Sequence, residues 1–228
     1  MTIRLIGTLN SDPDGASKLE RELEAFRPEI VLLEGTKKWS EAVLSMYQAT
    51  QEFVKRRRFR KEIGAAITDS ERRANYQLIV TSEYCDRSES ELLYFKDPHP
   101  TLDIKKILER KFKDLGLMWR HQDRVLGYIA QEDTRERAKS KEIWDLVRKS
   151  LGSEAERFPL LTGEIYELRE AVVHDTIMER TLREVVQQNP DARIAGIIRA
   201  GRLMLDPEHP ALYRRIQDLR PERKFLYV

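Results

Sequence analysis

A continuous apolar run, Ile30-Val31-Leu32-Leu33, constrains the fold of this chain more than any other segment. A strand that is apolar at every position suits burial on both faces, as in a parallel sheet covered by helices. An earlier apolar segment, 3–6, leads into turn residues, after which Leu19, Leu23 and Phe26 recur at helical spacing. A strand, a helix and a second strand within about 35 residues predict a βαβ unit.

The rest of the chain extends this pattern to an α/β fold, with a central, mostly parallel sheet flanked by helices and a helix-rich middle. We interpret residues 1–228 as a single domain, with a helical insertion or subdomain at 98–160. Further strands are predicted at 77–80, 194–198 and 224–227, and 92–95 is either a strand or a helix end. Helices are predicted over 37–73 in two pieces, and over 102–152, 164–188 and 211–219.

Charge, cysteine content and apolar run length argue against several classes of protein. The 228 residues carry 41 basic and 39 acidic side chains, a net charge of +2, whereas a dedicated nucleic-acid binder usually shows a strong basic excess. The single cysteine, Cys85, allows no intramolecular disulfide. No run approaches the ~18 apolar residues of a membrane span, and the N-terminus lacks a secretory signal. We therefore expect a cytoplasmic protein that does not contact the membrane.

Polar side chains follow three of the predicted strands. Thr8 and Asn10 follow the first strand, Glu34 follows the second, and Arg199 and Arg202 follow the strand at 194–198. Ligands of open parallel sheets bind beyond the carboxyl ends of the strands, so these residues are candidates for one site if the strands are neighbours. The alternative is that each is an ordinary polar loop residue.

Asp175 gives a second, independent indication. Its offsets from Leu168, Val172 and Leu182 put it on the apolar face of its predicted helix. A carboxylate in that position must be paired, hydrogen-bonded or protonated. Asp175 is therefore either half of a buried structural salt bridge or a carboxylate at the inner end of a cleft.

Five segments, in order along most of the chain, resemble motifs of the TraB/PrgY (pheromone-shutdown) superfamily, whose relatives include the Tiki and GumN-like proteins. The segments are Gly7-Thr8-Leu9-Asn10 (GTxH in the family), Leu32-Leu33-Glu34 (the second strand), Glu62-Ile63-Gly64-Ala65-Ala66-Ile67 (E-x-x-A-A), His174-Asp175-Thr176-Ile177-Met178 (RD-x-x-M) and Ile197-Ile198-Arg199-Ala200-Gly201-Arg202-Leu203 (VVGAGHL). The resemblance implies an α/β domain related to metal-dependent hydrolases.

The departures from the family pattern affect the implied metal site. In active Tiki-like relatives two histidines are implicated in binding a divalent metal, and the matching positions here hold Asn10 and Arg202. A guanidinium cannot ligate a metal, and an asparagine carbonyl is a poor substitute for imidazole. We therefore expect no cofactor and no typical metal site, although weak binding of a hard divalent cation to the remaining carboxylates stays open.

These observations give two main hypotheses and a third. In the first, the chain is a degenerate hydrolase-like domain that keeps a polar cleft: Glu34, Glu62 and Asp175 are candidate catalytic acids or bases, and Asn10, His174, Arg199 and Arg202 are candidate ligand-binding residues. In the second, the chain is a regulatory module that binds a small anion, a nucleotide or nucleic acid through Arg199, Arg202 and the basic run Lys55–Lys61. In the third, it is a structural protein that acts through its helical middle as a homodimer.

Overall fold

A computed structural model describes residues 2–9, 12–95, 104–151, 168–204 and 211–226. The strands are β1 (Thr2–Thr8), β2 (Ile30–Leu33), β3 (Glu91–Tyr94), β4 (Arg193–Arg199) and β5 (Glu222–Phe225). The helices are α1 (Gly15–Phe26), α2 (Lys37–Arg56), α3 (Lys61–Ala74), α4 (Tyr76–Ser88), α5 (Ile104–Arg120), α6 (Gln122–Ser150), α7 (Leu168–Gln188) and α8 (Leu212–Arg215). Short 3-10 turns occupy Ala200–Leu203 and Gln217–Leu219. The predicted α/β fold is confirmed.

Within the described residues the strands form one sheet in the order β3-β2-β4-β1-β5, and every pairing is parallel. β4 separates β1 from β2, so the first βαβ unit joins two strands that are not neighbours. β1, β2 and β4 nevertheless lie side by side, which is the condition that the strand-end prediction required. The segment 92–95, open between strand and helix, overlaps β3 at the edge of the sheet.

The strand predicted at 77–80 is wrong, because these residues belong to α4. Tyr76, Val80 and Tyr84 are buried and lie four residues apart, a helical spacing that extends beyond the segment 77–80. A short apolar run does not distinguish a strand from a fully buried helix. α4 packs closely on the start of α1, since the Cα of Gly15 lies against the ring of Tyr76.

The two-piece helix predicted over 37–73 is confirmed as α2 and α3. Thr36 caps α2 by accepting a hydrogen bond from the backbone N–H of Trp39 at 3.2 Å. The break falls at 57–60, where Arg58 adopts a positive φ of 52°. The start of the helix predicted at 164–167 and the end of the terminal strand at Tyr227 lie outside the described residues.

Two apolar clusters hold the structure together. The larger contains the buried sheet residues with the apolar faces of α1, α4 and α7 and part of α6, including Trp144 and Val147. The smaller joins α3 to α5 and α6 through Ile63, Ile67 and Leu115. The described part of the predicted insertion therefore contacts both clusters. Across the described ranges no helix is long and apolar enough to cross a membrane.

Candidate functional site

The carboxyl ends of β2 and β4 bring an acid and an arginine together. Leu33 pairs with Ile197, so Glu34 continues alongside the end of β4, and its backbone N–H donates to the carbonyl of Ile197 at 3.0 Å. Arg199, the last residue of β4, lies opposite Thr8 of β1. The parallel register therefore positions Glu34 and Arg199 at the same edge of the sheet.

Glu34 is the acceptor at the centre of this edge. One carboxylate oxygen accepts from the backbone N–H of Arg199 at 2.6 Å. The other accepts from Nε of Arg199 at 2.6 Å and from Nε of Arg202 at 2.9 Å. Burial alone would raise the pKa of Glu34, but the charges of the two arginines and the hydrogen bonds from Arg199 outweigh it, so this pKa lies below its ordinary value.

Arg202 joins Glu34 to a second acid. It lies on the 3-10 turn after β4, and its side chain is only 7% exposed. Nε contacts Glu34, while Nη1 donates to Oδ1 of Asp175 at 2.5 Å. The nearby carboxylates offset the effect of burial and raise the pKa of Arg202. The guanidinium therefore stays charged and bridges two buried carboxylates.

The predicted inward position of Asp175 is confirmed. It lies on α7, three residues before buried Met178 and seven before buried Leu182, and it is 5% exposed. Burial raises the pKa of Asp175; the charge and hydrogen bond of Arg202 lower it only in part, and the negative charge of Glu34 raises it further. The pKa values of the two acids are therefore shifted in opposite directions, that of Glu34 downward and that of Asp175 upward.

Within the part of the chain that the structure describes, Nη2 of Arg202 stands out as a nitrogen without a partner. Nη2 of Arg202 is buried and makes no hydrogen bond to any residue that the structure describes. The Arg199 side chain, in contrast, is 29% exposed and reaches the surface beside Glu34. Arg202 thus forms the interior of the cluster and Arg199 forms its rim.

The remaining predicted site residues are Glu62, His174 and Asn10. Glu62 lies in the first turn of α3 and is exposed, with no hydrogen bond or ion pair to Glu34, Asp175 or the two arginines. His174 precedes Asp175 on α7 and is partly buried. Asn10 lies outside the described residues, and the roles predicted for these three residues stay predictions.

A second group of buried polar contacts lies at the end of β1 and in the turn that follows; the sequence singled out Thr8, but not its partner Gln77 or Asp12. Oγ1 of Thr8 donates to the carbonyl of Ile198 at 3.0 Å and accepts from Nε2 of Gln77 at 2.7 Å. Oδ2 of buried Asp12 accepts from Nε1 of Trp144 at 3.0 Å. Asp12 stands within a turn signal and its indole partner lies 132 residues away, so no local pattern identifies the pair.

The cluster of Glu34, Asp175, Arg199 and Arg202 contains two acids and two cations. Two carboxylates that face each other across a small gap are an arrangement that can hold a cation, and here the guanidinium of Arg202 fills that gap. Among the described residues no group of three or more histidine, cysteine or acidic side chains has the geometry to hold a metal ion. The cluster can donate hydrogen bonds to an external acceptor through the partly exposed Arg199, whereas Nη2 of Arg202 is buried.

Comparison with protein-family models, with curated proteins and with solved structures finds no match to this chain.

Proposed function

We propose that the chain is a divergent TraB/Tiki-like protein, a degenerate hydrolase-like domain in which an arginine–carboxylate cluster has replaced the metal site. The observation that carries this proposal is the bridge made by Arg202 between Glu34 and Asp175, at distances of 2.9 and 2.5 Å. Arg202 stands where the resemblance expects a metal-binding histidine. Its guanidinium neutralises the same two acids that a bound cation would neutralise.

This replacement changes what the cluster can do chemically. A guanidinium has no vacant orbital for a water or carbonyl oxygen, so it cannot lower the pKa of a bound water as a metal ion does. Glu34, held ionised by three hydrogen bonds from arginine, is a weak base. We therefore expect the cluster to stabilise the structure or to bind a ligand, and not to carry out metal-dependent hydrolysis.

The test restores the expected ligand type at one position. Arg202→His should gain a rise in melting temperature with Zn²⁺, Mn²⁺ or Co²⁺ that EDTA reverses, whereas Arg202→Gln should not. A metal present at about 100 times its Kd stabilises by about 2.7 kcal/mol, or roughly 5–10 °C in a chain of this size. A metal-dependent rise in the unmodified protein that disappears in Asp175→Asn would contradict the proposal.

A second candidate function, binding of a small anion, is favoured by the partly exposed Arg199 and by Nη2 of Arg202, which has no hydrogen-bond partner among the described residues. Arginine donates paired hydrogen bonds to phosphate or carboxylate oxygens. In this case inorganic phosphate should raise the melting temperature of the unmodified protein in the presence of EDTA, and Arg199→Gln should abolish the rise. Arg193→Gln, at the opposite end of β4, is the matched control and should retain it. Equal loss in both variants would rule out this candidate.

A further inference from the structure

A cationic surface lies where α2 ends and the chain turns into α3. Every basic side chain of the run Lys55–Lys61 is exposed. Arg56 pairs with Glu52 at 3.0 Å and Arg60 pairs with Asp123 at 2.6 Å. The remaining four basic residues form no ion pair with any acidic side chain in the described ranges; they are Lys55, Arg57, Arg58 and Lys61.

Aromatic rings from α2 and α5 lie beside these cations. The guanidinium of Arg57 lies 5.5 Å from the ring centre of Phe53 and 5.6 Å from that of Trp119. Nε1 of Trp119 donates to the carbonyl of Arg57 at 2.9 Å, which fixes the indole against the basic turn. Phe112 lies 5.8 Å from Phe53. Trp119 and Phe112 remain 39% and 38% exposed, so each offers part of a ring to a ligand.

This basic–aromatic surface consists of Lys55, Arg57, Arg58, Lys61, Phe112 and Trp119, and it is separate from the Glu34 cluster. The 20 residues of α2 span about 28 Å, and Glu34 precedes the helix by only three residues, so the two sites are about 17 Å or more apart. A small ligand cannot contact both. Although the net charge of the whole chain is near zero, this segment has a local positive excess: positions 52 to 62 contain six basic and two acidic residues.

We propose that the basic–aromatic surface binds single-stranded nucleic acid. Phosphates would pair with the four cations that lack acidic partners, and unpaired bases would stack on Trp119 and Phe112, as every base has a π-face. The rings are little more than a third exposed and Trp119 is fixed against Arg57, which suits stacking better than insertion into a lipid bilayer. An acidic peptide would use the cations and leave the rings unused. Contacts to phosphates and stacking on base faces carry little sequence information, so we expect little sequence preference.

The electrostatic part of this proposal predicts a salt dependence that can be counted. Binding of a fluorescein-labelled oligo(dT) of about 16 nucleotides is measured by anisotropy. With four phosphates contacted, affinity falls about 50-fold between about 50 and 200 mM salt. Lys55→Gln/Lys61→Gln should reduce this fall to about sevenfold. Lys37→Gln/Lys38→Gln, a matched pair of exposed lysines at the other end of α2, should leave the salt dependence unchanged.

The stacking part is tested at Trp119. Trp119→Leu should weaken binding by about fivefold to 150-fold, the loss expected for one stacked base. Trp119→Phe keeps a ring and should lose much less. Leu117→Ala, which removes an exposed apolar side chain from the same helix, is the control and should have no effect. Far-UV circular dichroism confirms that each variant is folded.

Several results would overturn the proposal. They are absence of oligonucleotide binding at low salt, equal effects of the two lysine pairs, and equal binding of phosphatidylserine vesicles or poly-glutamate. Loss of binding in a folded Arg202→Gln variant would show that the cluster, and not this surface, contacts nucleic acid.

Discussion

Removing the Arg202 guanidinium should destabilise the protein strongly. Arg202→Met keeps an apolar stem of similar length but removes the bonds to Glu34 and Asp175. Glu34 still pairs with Arg199, whereas Asp175 loses the guanidinium that it contacts in the interior. Breaking a buried ion pair by removing one partner costs about 3–5 kcal/mol, because the other charge stays buried. For a chain of this size the melting temperature should fall by roughly 6–20 °C.

A second substitution should restore part of the stability that Arg202→Met loses. Arg202→Met/Asp175→Leu removes the uncompensated carboxylate together with the cation. Replacing a whole buried pair by apolar side chains of similar volume is often neutral or stabilising. The double variant should therefore be more stable than Arg202→Met alone, by about 1–3 kcal/mol, as expected for residues in direct contact.

Urea unfolding followed by circular dichroism at neutral pH measures these free energies. Arg183→Met is the control, because Arg183 also contacts two acids, Glu179 and Asp218, but on the surface. Exposed pairs contribute about 0–1 kcal/mol, so this variant should change little. If Arg202→Met is no more destabilising than Arg183→Met, or if adding Asp175→Leu lowers stability further, the cluster does not act as a buried network.

Three further predictions concern separate parts of the fold. The pKa of Glu34 is lowered from its ordinary value of 4.5 in the folded state, so its contribution to stability is present above that pH and is lost as the pH falls further. Glu34→Gln should therefore flatten the pH dependence of the unfolding free energy below pH 4.5. An unchanged curve would contradict this. Gly15→Ala should destabilise by about 1–3 kcal/mol in urea unfolding, since its Cβ would overlap the buried ring of Tyr76, whereas Gly116→Ala in open space on α5 should stabilise by about 0.5–1 kcal/mol. Burial raises the pKa of the Cys85 thiol to about 12, so DTNB should label it at pH 8 only after unfolding, and rapid labelling of the folded protein would refute its burial.

The sequence predicted most of the elements because the central strands are short and apolar at every position. Ile30–Leu33 and 194–198 are continuous apolar runs, and both lie in the middle of the sheet. The same rule failed at 77–80, where the apolar residues Leu78, Ile79 and Val80 lie in a buried helix. Strand order is a different matter, since it depends on pairings between distant residues that a local pattern does not encode.

The core of the candidate site was predicted for two independent reasons. The carboxyl ends of parallel strands meet at one edge of the sheet, which identified Glu34, Arg199 and Arg202. The helical spacing of Asp175 from its apolar neighbours predicted that its side chain lies on the buried face of the helix. The sequence did not determine the bridge through Arg202, because β2, α7 and the turn after β4 meet only in three dimensions. The burial of Asp12 against Trp144 was missed for the same reason.

The central place of β4 has a consequence for how the chain folds. β4 pairs with both β1 and β2, yet it follows them by more than half of the chain. Until residues 193–199 are in place, β1 and β2 have no shared neighbour, although both are synthesised well before β4. Pairings over such separations make folding slow. The same late segment carries Arg199 and leads into Arg202, so the sheet and the charged cluster should form in a single step.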